Sequence, residues 1–257
     1  MVNTPRGNPF SNVGADYAHH RPTWPDGVAL TLAGLCPRTD HALDVGCGSG
    51  QLSAVLADHF TQVTATDPSA DQIAHAVKRP DIDYRCEPAE TMSLADRSVD
   101  AVTAAQAAHW FDLDAFYSEV HRVCRPGGIV ALLTYGVPEM AGAVGERYSH
   151  FYWREIFSFW PEERRHVETG YAGLRFPFRE IPLPEMNVER DWTLADFLGY
   201  MRTWSALREA EKAGKTRVFA DFEVDLRALW GDPKAAKRIA WPIRGRVGRL
   251  PRHRPSV

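Results

Sequence analysis

The sequence predicts an α/β protein with a doubly wound, mostly parallel sheet of seven strands, an antiparallel edge and a helical cap. Two observations predict this fold. Short apolar runs alternate with segments of helical spacing in the first half of the 257-residue chain, and aromatic-rich helical segments follow in the second half. A composition of 44% hydrophobic and 25% charged residues supplies enough apolar surface for a sizeable core.

Five of the seven predicted strands come early in the chain. Each is a short run rich in Val, Ile, Leu and Ala, which is typical of buried strands. Because residues at helical spacing separate these runs, we expect a parallel sheet with helices on both faces. The predicted strands are residues 42–46, 63–67, 82–86, 98–105 and 128–134.

The pattern changes after about residue 136. Residues 139–168 and 193–230 are predicted to be helical and aromatic, which suits a cap or moving lid. Residues 174–184 and 237–248 are predicted to be the last two strands, and prolines in the first suit a sheet edge. The expected division is an N-terminal arm and helix over the site (1–40), a core (41–135), and a cap with the last two strands (136–257).

Charge and composition indicate which partners and which cellular location to expect. The formal net charge is −3, which gives no general attraction to nucleic acid, although residues 234–254 form a local basic tail. No apolar run approaches the roughly 20 residues of a membrane-spanning helix, and the N-terminus lacks an apolar signal core. We therefore expect a cytoplasmic protein with neither a nucleic acid nor a membrane as partner.

The cysteines and histidines give no metal-binding pattern. The four cysteines lie far apart and form no CxxC pair. His19 and His20 are adjacent, but no third ligand stands at a supporting spacing. The sequence therefore predicts reduced thiols and no metal site.

A glycine loop lies in residues 42–52, ALDVGCGSGQL, between a predicted strand and a predicted helix. Gly46, Gly48 and Gly50 allow a tight turn and leave no Cβ between the backbone and a ligand. The N-terminus of the following helix offers free N–H groups. The pattern is typical of a cofactor-binding loop, although glycine turns also join strands to helices without a ligand.

Two acidic residues indicate which cofactor the loop binds. Asp67 closes the next strand, at the place where an acid meets ribose hydroxyls in doubly wound folds. A dinucleotide loop of the form GxGxxG needs glycine at position 51, where this chain has Gln51, so a nicotinamide cofactor is the weaker alternative. Asp44 precedes the first glycine by two residues and suits the cationic amino group of an adenosyl amino acid.

At these residues the chain resembles the class I S-adenosylmethionine-dependent methyltransferases, whose first motif is Asp/Glu-x-Gly-x-Gly-x-Gly. The resemblance spans about residues 40–135 and implies a Rossmann-like fold with S-adenosyl-L-methionine as cofactor. It implies that Asp44 and the glycine loop hold the methionine end and that Asp67 binds the ribose. The remaining cofactor residues expected in the core are Cys47, Pro68, Ala89, Glu90 and Gln106, with Ala89 and Glu90 beside the adenine.

A narrower resemblance, to the trans-aconitate methyltransferase-related (type 11) branch, comes from residues 17–25, 105–111 and 198–206. It implies a small-molecule acceptor, with a carboxylate oxygen as a candidate for the methylated atom. A binding protein without turnover and a nicotinamide-dependent oxidoreductase stay open as alternatives.

Four residues in these segments are candidates for binding or catalysis. Tyr17 and Arg21 are expected to fold over the cofactor, and Arg21 and Arg202 to hold a carboxylate in two parallel hydrogen bonds. His109 follows the fourth strand and is expected to position the acceptor or accept its proton. Tyr17, His109 and Arg202 are therefore the catalytic candidates, although exposure of Arg202 to solvent is about as probable.

Overall fold

The computed structural model describes residues 23–252, which contain one eight-stranded sheet. The strand order is β3-β2-β1-β4-β5-β8-β6, and β7 also pairs with β8. The first five strands are parallel, whereas β8 is antiparallel to β5, β6 and β7. The strands are β1 (His41–Val45), β2 (Gln62–Thr66), β3 (Ile82–Arg85), β4 (Val99–Ala105), β5 (Cys124–Tyr135), β6 (Arg179–Ile181), β7 (Met186–Trp192) and β8 (Lys237–Arg249).

The prediction of a mostly parallel sheet with an antiparallel edge is confirmed, but the prediction of seven strands is wrong by one. The segment 174–184 forms only the short strand β6, and β7 was not predicted. β8 is 13 residues long, so it can pair with β7 through residues 237–243 and with β6 through residues 247–249. The region 136–257 therefore contributes three strands to the sheet rather than two.

Helices cover both faces of the sheet, as the sequence predicts. Side chains of successive strand residues point to opposite faces, so Ala42 joins one buried cluster and Leu43 the other. In β4, Ala101 and Val102 divide in the same way. The helices of the described part are α1 (Asp26–Leu35), α2 (Gln51–Leu56), α3 (Ala70–Ala74), α4 (Leu113–Val123), α5 (Gly142–His150), α6 (Arg164–Glu168), α7 (Leu194–Arg202), α8 (Ser205–Lys212) and α9 (Val218–Trp230).

The helical region after β5 packs around aromatic side chains. A π-helix, Phe151–Ile156, continues α5, and a short 3-10 helix, Phe157–Phe159, follows it. The rings of Phe151 and Phe222 stack with 4.1 Å between centroids, and both side chains are fully buried. This contact joins α9 to the π-helix and helps to fix the cap on the sheet.

Side chains cap the starts of α3, α4 and α7. The Asp112 carboxylate accepts hydrogen bonds from the backbone N–H groups of Asp114 and Ala115 at the start of α4. Thr193 and Asp196 form a capping box at the start of α7. Within residues 23–252, no helix is long and apolar enough to cross a membrane.

Candidate functional site

The predicted glycine loop follows β1 and turns sharply into α2. Gly46, Gly48 and Gly50 all have left-handed backbone angles, with φ of 67°, 55° and 81°. L-residues rarely adopt these angles, because their Cβ would crowd the neighbouring carbonyl oxygen. The left-handed backbone conformation therefore favours glycine at each of the three positions.

The first and last glycines also leave space for close neighbours. A Cβ at Gly46 would lie 2.5 Å from the Cβ of Ala107 and 3.3 Å from the ring of Phe111. A Cβ at Gly50 would overlap the hydroxyl of Tyr84, at the end of β3. The loop is thus held between the segment after β4 and the end of β3, at the carboxyl edge of the sheet where doubly wound folds bind ligands.

Asp67 lies at this edge, directly after β2, and holds the glycine loop. Its Oδ2 accepts a hydrogen bond of 2.9 Å from the backbone N–H of Gly48, and its Oδ1 accepts one of 2.9 Å from the N–H of Ser69. Burial raises the pKa of Asp67, and these two hydrogen bonds oppose the rise. Each carboxylate oxygen keeps a second lone pair, which leaves capacity to accept from ligand hydroxyls.

Asp44 lies beneath the loop and is 1% exposed. Its Oδ2 accepts a hydrogen bond of 2.6 Å from the Ser53 hydroxyl, and its Oδ1 accepts one of 2.9 Å from the Thr103 hydroxyl. Burial raises the pKa of Asp44 to about 6, although the two hydroxyls lower it. These contacts orient the carboxylate under the loop. Its direct contact with a ligand amino group stays a prediction.

The other cofactor residues predicted in the core lie around the same edge. Ala89 is buried after β3, and Glu90 Oε1 accepts a hydrogen bond of 2.9 Å from the N–H of Asp112. Pro68 is exposed beside Asp67. Burial, followed by the negative charges of Asp44 and Asp67, raises the pKa of the Cys47 thiol, so this cysteine is a neutral loop residue rather than a nucleophile.

Gln106 ends β4 in a left-handed conformation, with φ of 57°. Its amide nitrogen donates to the carbonyl of Tyr135, 3.2 Å away, and its amide oxygen accepts from the Thr134 hydroxyl at 2.8 Å. Both amide groups are therefore used to join the ends of β4 and β5. The strained backbone turns the following segment, which includes His109, over the glycine loop.

His109 lies in a 3-10 turn, Ala108–Trp110, and faces the helical region. Its Nδ1 is 3.1 Å from the hydroxyl oxygen of Tyr171. Burial, followed by the positive charges of Arg164 and His166, lowers the pKa of His109 to about 4. The imidazole is therefore neutral near pH 7 and can donate or accept one hydrogen bond.

Arg202 is placed away from this edge by its contacts. Its guanidinium donates a hydrogen bond of 2.7 Å to Glu223 and lies 5.6 Å from the ring centroid of Phe219, both on α9, and its side chain is 53% exposed. The expected role of Arg202 in holding an acceptor gains no support from these contacts. Tyr17 and Arg21 lie outside the described residues.

Two residues near the site were not predicted from the sequence. Tyr84 Oη is buried beside Gly50 and has no hydrogen-bond partner in the described part of the chain. Arg164, the first residue of α6, lies close enough to His109 to lower the pKa of its imidazole. Neither residue belongs to a local motif, because the fold alone brings each to the site.

The sheet defines a Rossmann-like protein, in which Asp67 is hydrogen-bonded to the glycine loop at the carboxyl edge of the parallel strands. Among residues 23–252, no group of three or more His, Cys, Asp or Glu side chains is arranged to hold a metal ion.

Comparison with known proteins identifies the family. A family profile described as a methyltransferase domain matches residues 43–132, which contain the loop and Asp67. A protein of Dictyostelium discoideum named as a methyltransferase is 31% identical over 223 residues, which are 84% of each chain. A solved structure from Anaeromyxobacter dehalogenans, titled a type II methyltransferase, is 42% identical, covers 90% of this chain and 99% of its own, and has a TM-score of 0.86.

A relative with a named substrate also matches. The malonyl-[acyl-carrier protein] O-methyltransferase of Enterobacter lignolyticus is 34% identical over 209 residues, which are 76% of this chain and 75% of that one. The chain belongs to the methyltransferase domain family.

Proposed function

We propose that the protein transfers a methyl group from S-adenosyl-L-methionine to a carboxylate oxygen of a small organic acid. The observation that carries the cofactor assignment is the bond from the Gly48 N–H to Asp67, within a loop of three left-handed glycines. Membership of a methyltransferase family supports the reaction class.

The residues present fit this cofactor. Gly46 and Gly50 let Ala107 and Tyr84 pack closely on the loop, whereas a Cβ at Gly48 would meet only Gln72 Oε1, 3.7 Å away, so the backbone at Gly48 is the part with space beside it for a ligand. The N–H groups at the start of α2 and the buried, unpaired hydroxyl of Tyr84 supply polar contacts beside it. Asp67 retains lone pairs for two ribose hydroxyls, and Asp44 supplies negative charge below the methionine end. When bound, S-adenosylmethionine supplies a methyl group that its positively charged sulfur already activates.

Two observations support a carboxylate acceptor. The malonyl-[acyl-carrier protein] O-methyltransferase is a relative across about three quarters of both chains, and the oxygen of a malonyl group best suited to methylation is its free carboxylate. An ionised carboxylate also needs no proton removed before it reacts. Because its pKa is lowered to about 4, the neutral imidazole of His109 is a weak base, and its Nδ1 faces the Tyr171 hydroxyl; its role is then to orient an acceptor oxygen rather than to abstract a proton.

The chain then accelerates the reaction by orienting the cofactor and the acceptor and by excluding water. Holding the reacting groups in line contributes several kcal/mol toward the barrier, on the order of what intramolecular reactions gain. The segment of Ala107 and Phe111 packs on Gly46, and His109 lies within this segment. His109 is thereby kept beside the loop that would hold the cofactor.

The test is a screen with S-adenosylmethionine labelled in its methyl group. Purified full-length chain is incubated with mono-, di- and tricarboxylic acids, amines and phenols. We expect label in carboxylate products, and mild alkali should release it as methanol because the products are methyl esters. Label only in amines or phenols would reject the carboxylate acceptor, and S-adenosylmethionine binding without transfer to any compound would favour a binding protein.

A further inference from the structure

In the helical region, the Arg164 guanidinium has no carboxylate partner among the described residues. Arg125 and Arg147, both largely buried, each lie 2.7 Å from a carboxylate oxygen. Arg164 is also partly buried, but no carboxylate of residues 23–252 lies within 4.0 Å of its guanidinium. Its Nε is 3.5 Å from the hydroxyl of Tyr152, which is too long for a good hydrogen bond.

The aromatic surroundings of Arg164 do not neutralise its charge. The guanidinium lies 4.8 Å from the ring centroid of Trp160, and Tyr152 is fully buried next to it. Burial raises the pKa of the tyrosine hydroxyls around Arg164, so they stay neutral at pH 7. These tyrosines are Tyr148, Tyr152, Tyr171 and Tyr200. Keeping a partly buried charge without a carboxylate beside it costs free energy, which a bound anion would offset.

Two further polar groups in this cluster lack partners. The Tyr148 hydroxyl and the Trp160 Nε1 are buried and form no hydrogen bond within residues 23–252. Their rings pack within one cluster, since Trp204 lies 6.3 Å from Tyr148 and 5.3 Å from Trp160 between centroids. Indole and guanidinium groups only donate hydrogen bonds, so the cluster has more donors than acceptors. A ligand with negatively charged oxygens supplies what is missing.

Glu168 is the acidic residue to weigh against this conclusion. Its Oε1 accepts a hydrogen bond of 2.6 Å from the Tyr152 hydroxyl, and its charge also reaches Arg164. Because Glu168 is held by Tyr152 and lies beyond ion-pair distance, it does not occupy the donor groups of the guanidinium. It would, however, weaken the binding of an anion, which makes it useful in the test.

The cluster lies next to the reaction site. Tyr171 joins the two: its backbone N–H donates to the carbonyl of His166 in α6, the helix that begins at Arg164, and its hydroxyl lies 3.1 Å from His109 Nδ1. The charge of Arg164 also acts on His109 and Tyr171, and His109 belongs to the segment that packs on the glycine loop. A small molecule bound to Arg164 would therefore also be close to His109.

We propose that Arg164 selects the acceptor by binding a carboxylate that is not itself methylated. A carboxylate held in two parallel hydrogen bonds by a guanidinium has its negative charge partly neutralised and both oxygens fixed on the arginine, so it is a poorer nucleophile than a free carboxylate. The methylated group must then be a second group of the same molecule. Resting on the proposed function, this inference makes the acceptor a small molecule with at least two carboxylates.

The test measures binding of unreacted probes, without S-adenosylmethionine. Glutarate and tricarballylate are titrated into the full chain by calorimetry, with the uncharged glutaramide as the control ligand. We expect both acids to bind to the wild type, and we expect Arg164→Gln to lower the affinity for each acid at least tenfold. Arg164→Lys should recover only part of the affinity, because the lysine ammonium is a compact charge and cannot form the two parallel hydrogen bonds of the planar guanidinium.

A variant that acts in the opposite direction keeps the test decisive if Arg164→Gln does not fold. Glu168→Gln retains the acceptor oxygen for Tyr152 but removes a negative charge, so it should increase the affinity for both acids several-fold. Arg227→Gln, at an exposed arginine paired with Glu223 on α9, should change nothing. Failure of both acids to bind, or unchanged affinity in both Arg164→Lys and Glu168→Gln, would overturn the proposal.

S-adenosylmethionine is titrated separately into the same proteins. Arg164→Gln and Arg164→Lys should keep wild-type affinity for it. Binding of the acids without any binding of S-adenosylmethionine would reject the proposed function and leave the carboxylate site intact.

Discussion

Replacing Asp44 by asparagine should stabilise the ligand-free protein at neutral pH while weakening its binding of S-adenosylmethionine. The carboxylate is 1% exposed, and burial raises its pKa from 3.8 to about 6. An ionised group in this place costs free energy that a neutral amide avoids. Asparagine has nearly the same shape and can still pair with the hydroxyls of Ser53 and Thr103.

The size and direction of the effect follow from the pKa. A pKa unit is worth about 1.4 kcal/mol, so the shift corresponds to roughly 3 kcal/mol. Since the folded-state pKa lies above the unfolded value, the folded protein binds more protons between about pH 4 and 6, and stability falls as pH rises through that window. Asp44→Asn should therefore gain up to about 3 kcal/mol at pH 7, and the gain should vanish below about pH 4.

Urea denaturation at pH values from 4 to 8 measures this difference. Ser53→Ala is the companion variant, because loss of its hydroxyl removes a hydrogen bond that lowers the pKa of Asp44. Stability of Ser53→Ala should continue to fall to a higher pH than that of the wild type, so its total loss between pH 4 and 8 should be larger. The reasoning fails if Asp44→Asn is less stable than the wild type at pH 7, or if the difference is the same at every pH.

Three other measurements test the helical region and the histidine. Hydrogen exchange should show α7 and α8 gaining protection when cofactor and acceptor bind, whereas β7, which is paired in the sheet, should not change; equal protection of the helices with and without ligands would reject a moving lid. Phe222→Ala should lower the free energy of unfolding by about 3–5 kcal/mol, since it removes a fully buried ring stacked on Phe151, and a loss below 1 kcal/mol in urea denaturation would contradict that packing. In NMR titrations, the His109 imidazole should stay neutral from pH 5 to 8, and titration near pH 6.5 would contradict its burial.

The loop and the parallel strands could be predicted because their signals are local. Three glycines at alternate positions need left-handed backbone angles, and apolar runs of five to eight residues indicate buried strands whatever surrounds them. Asp67 could be placed because one strand and one turn fix its distance from the loop in the chain.

The aromatic cluster and β7 depend on contacts between distant segments. β7 runs from Met186 to Trp192 and includes three charged residues, so its sequence does not predict a buried strand. It forms because β8 is long enough to offer it a free edge. Arg164 lies beside a second arginine in a short helix, a pattern typical of a solvated surface. Only its packing near Tyr152 and His109 distinguishes it from Arg202, which carries the same charge at the protein surface.

Calorimetric titration of S-adenosylmethionine into the full-length chain tests the central claim most directly. We expect one binding site per chain, affinity lower by tenfold or more in Asp67→Ala, and unchanged affinity in Asp225→Ala, where an exposed carboxylate on α9 is removed. NADH, titrated under the same conditions, should give no binding heat. Binding of NADH in place of S-adenosylmethionine, or wild-type affinity for S-adenosylmethionine in Asp67→Ala, would contradict the assignment of the glycine loop and Asp67 as its site.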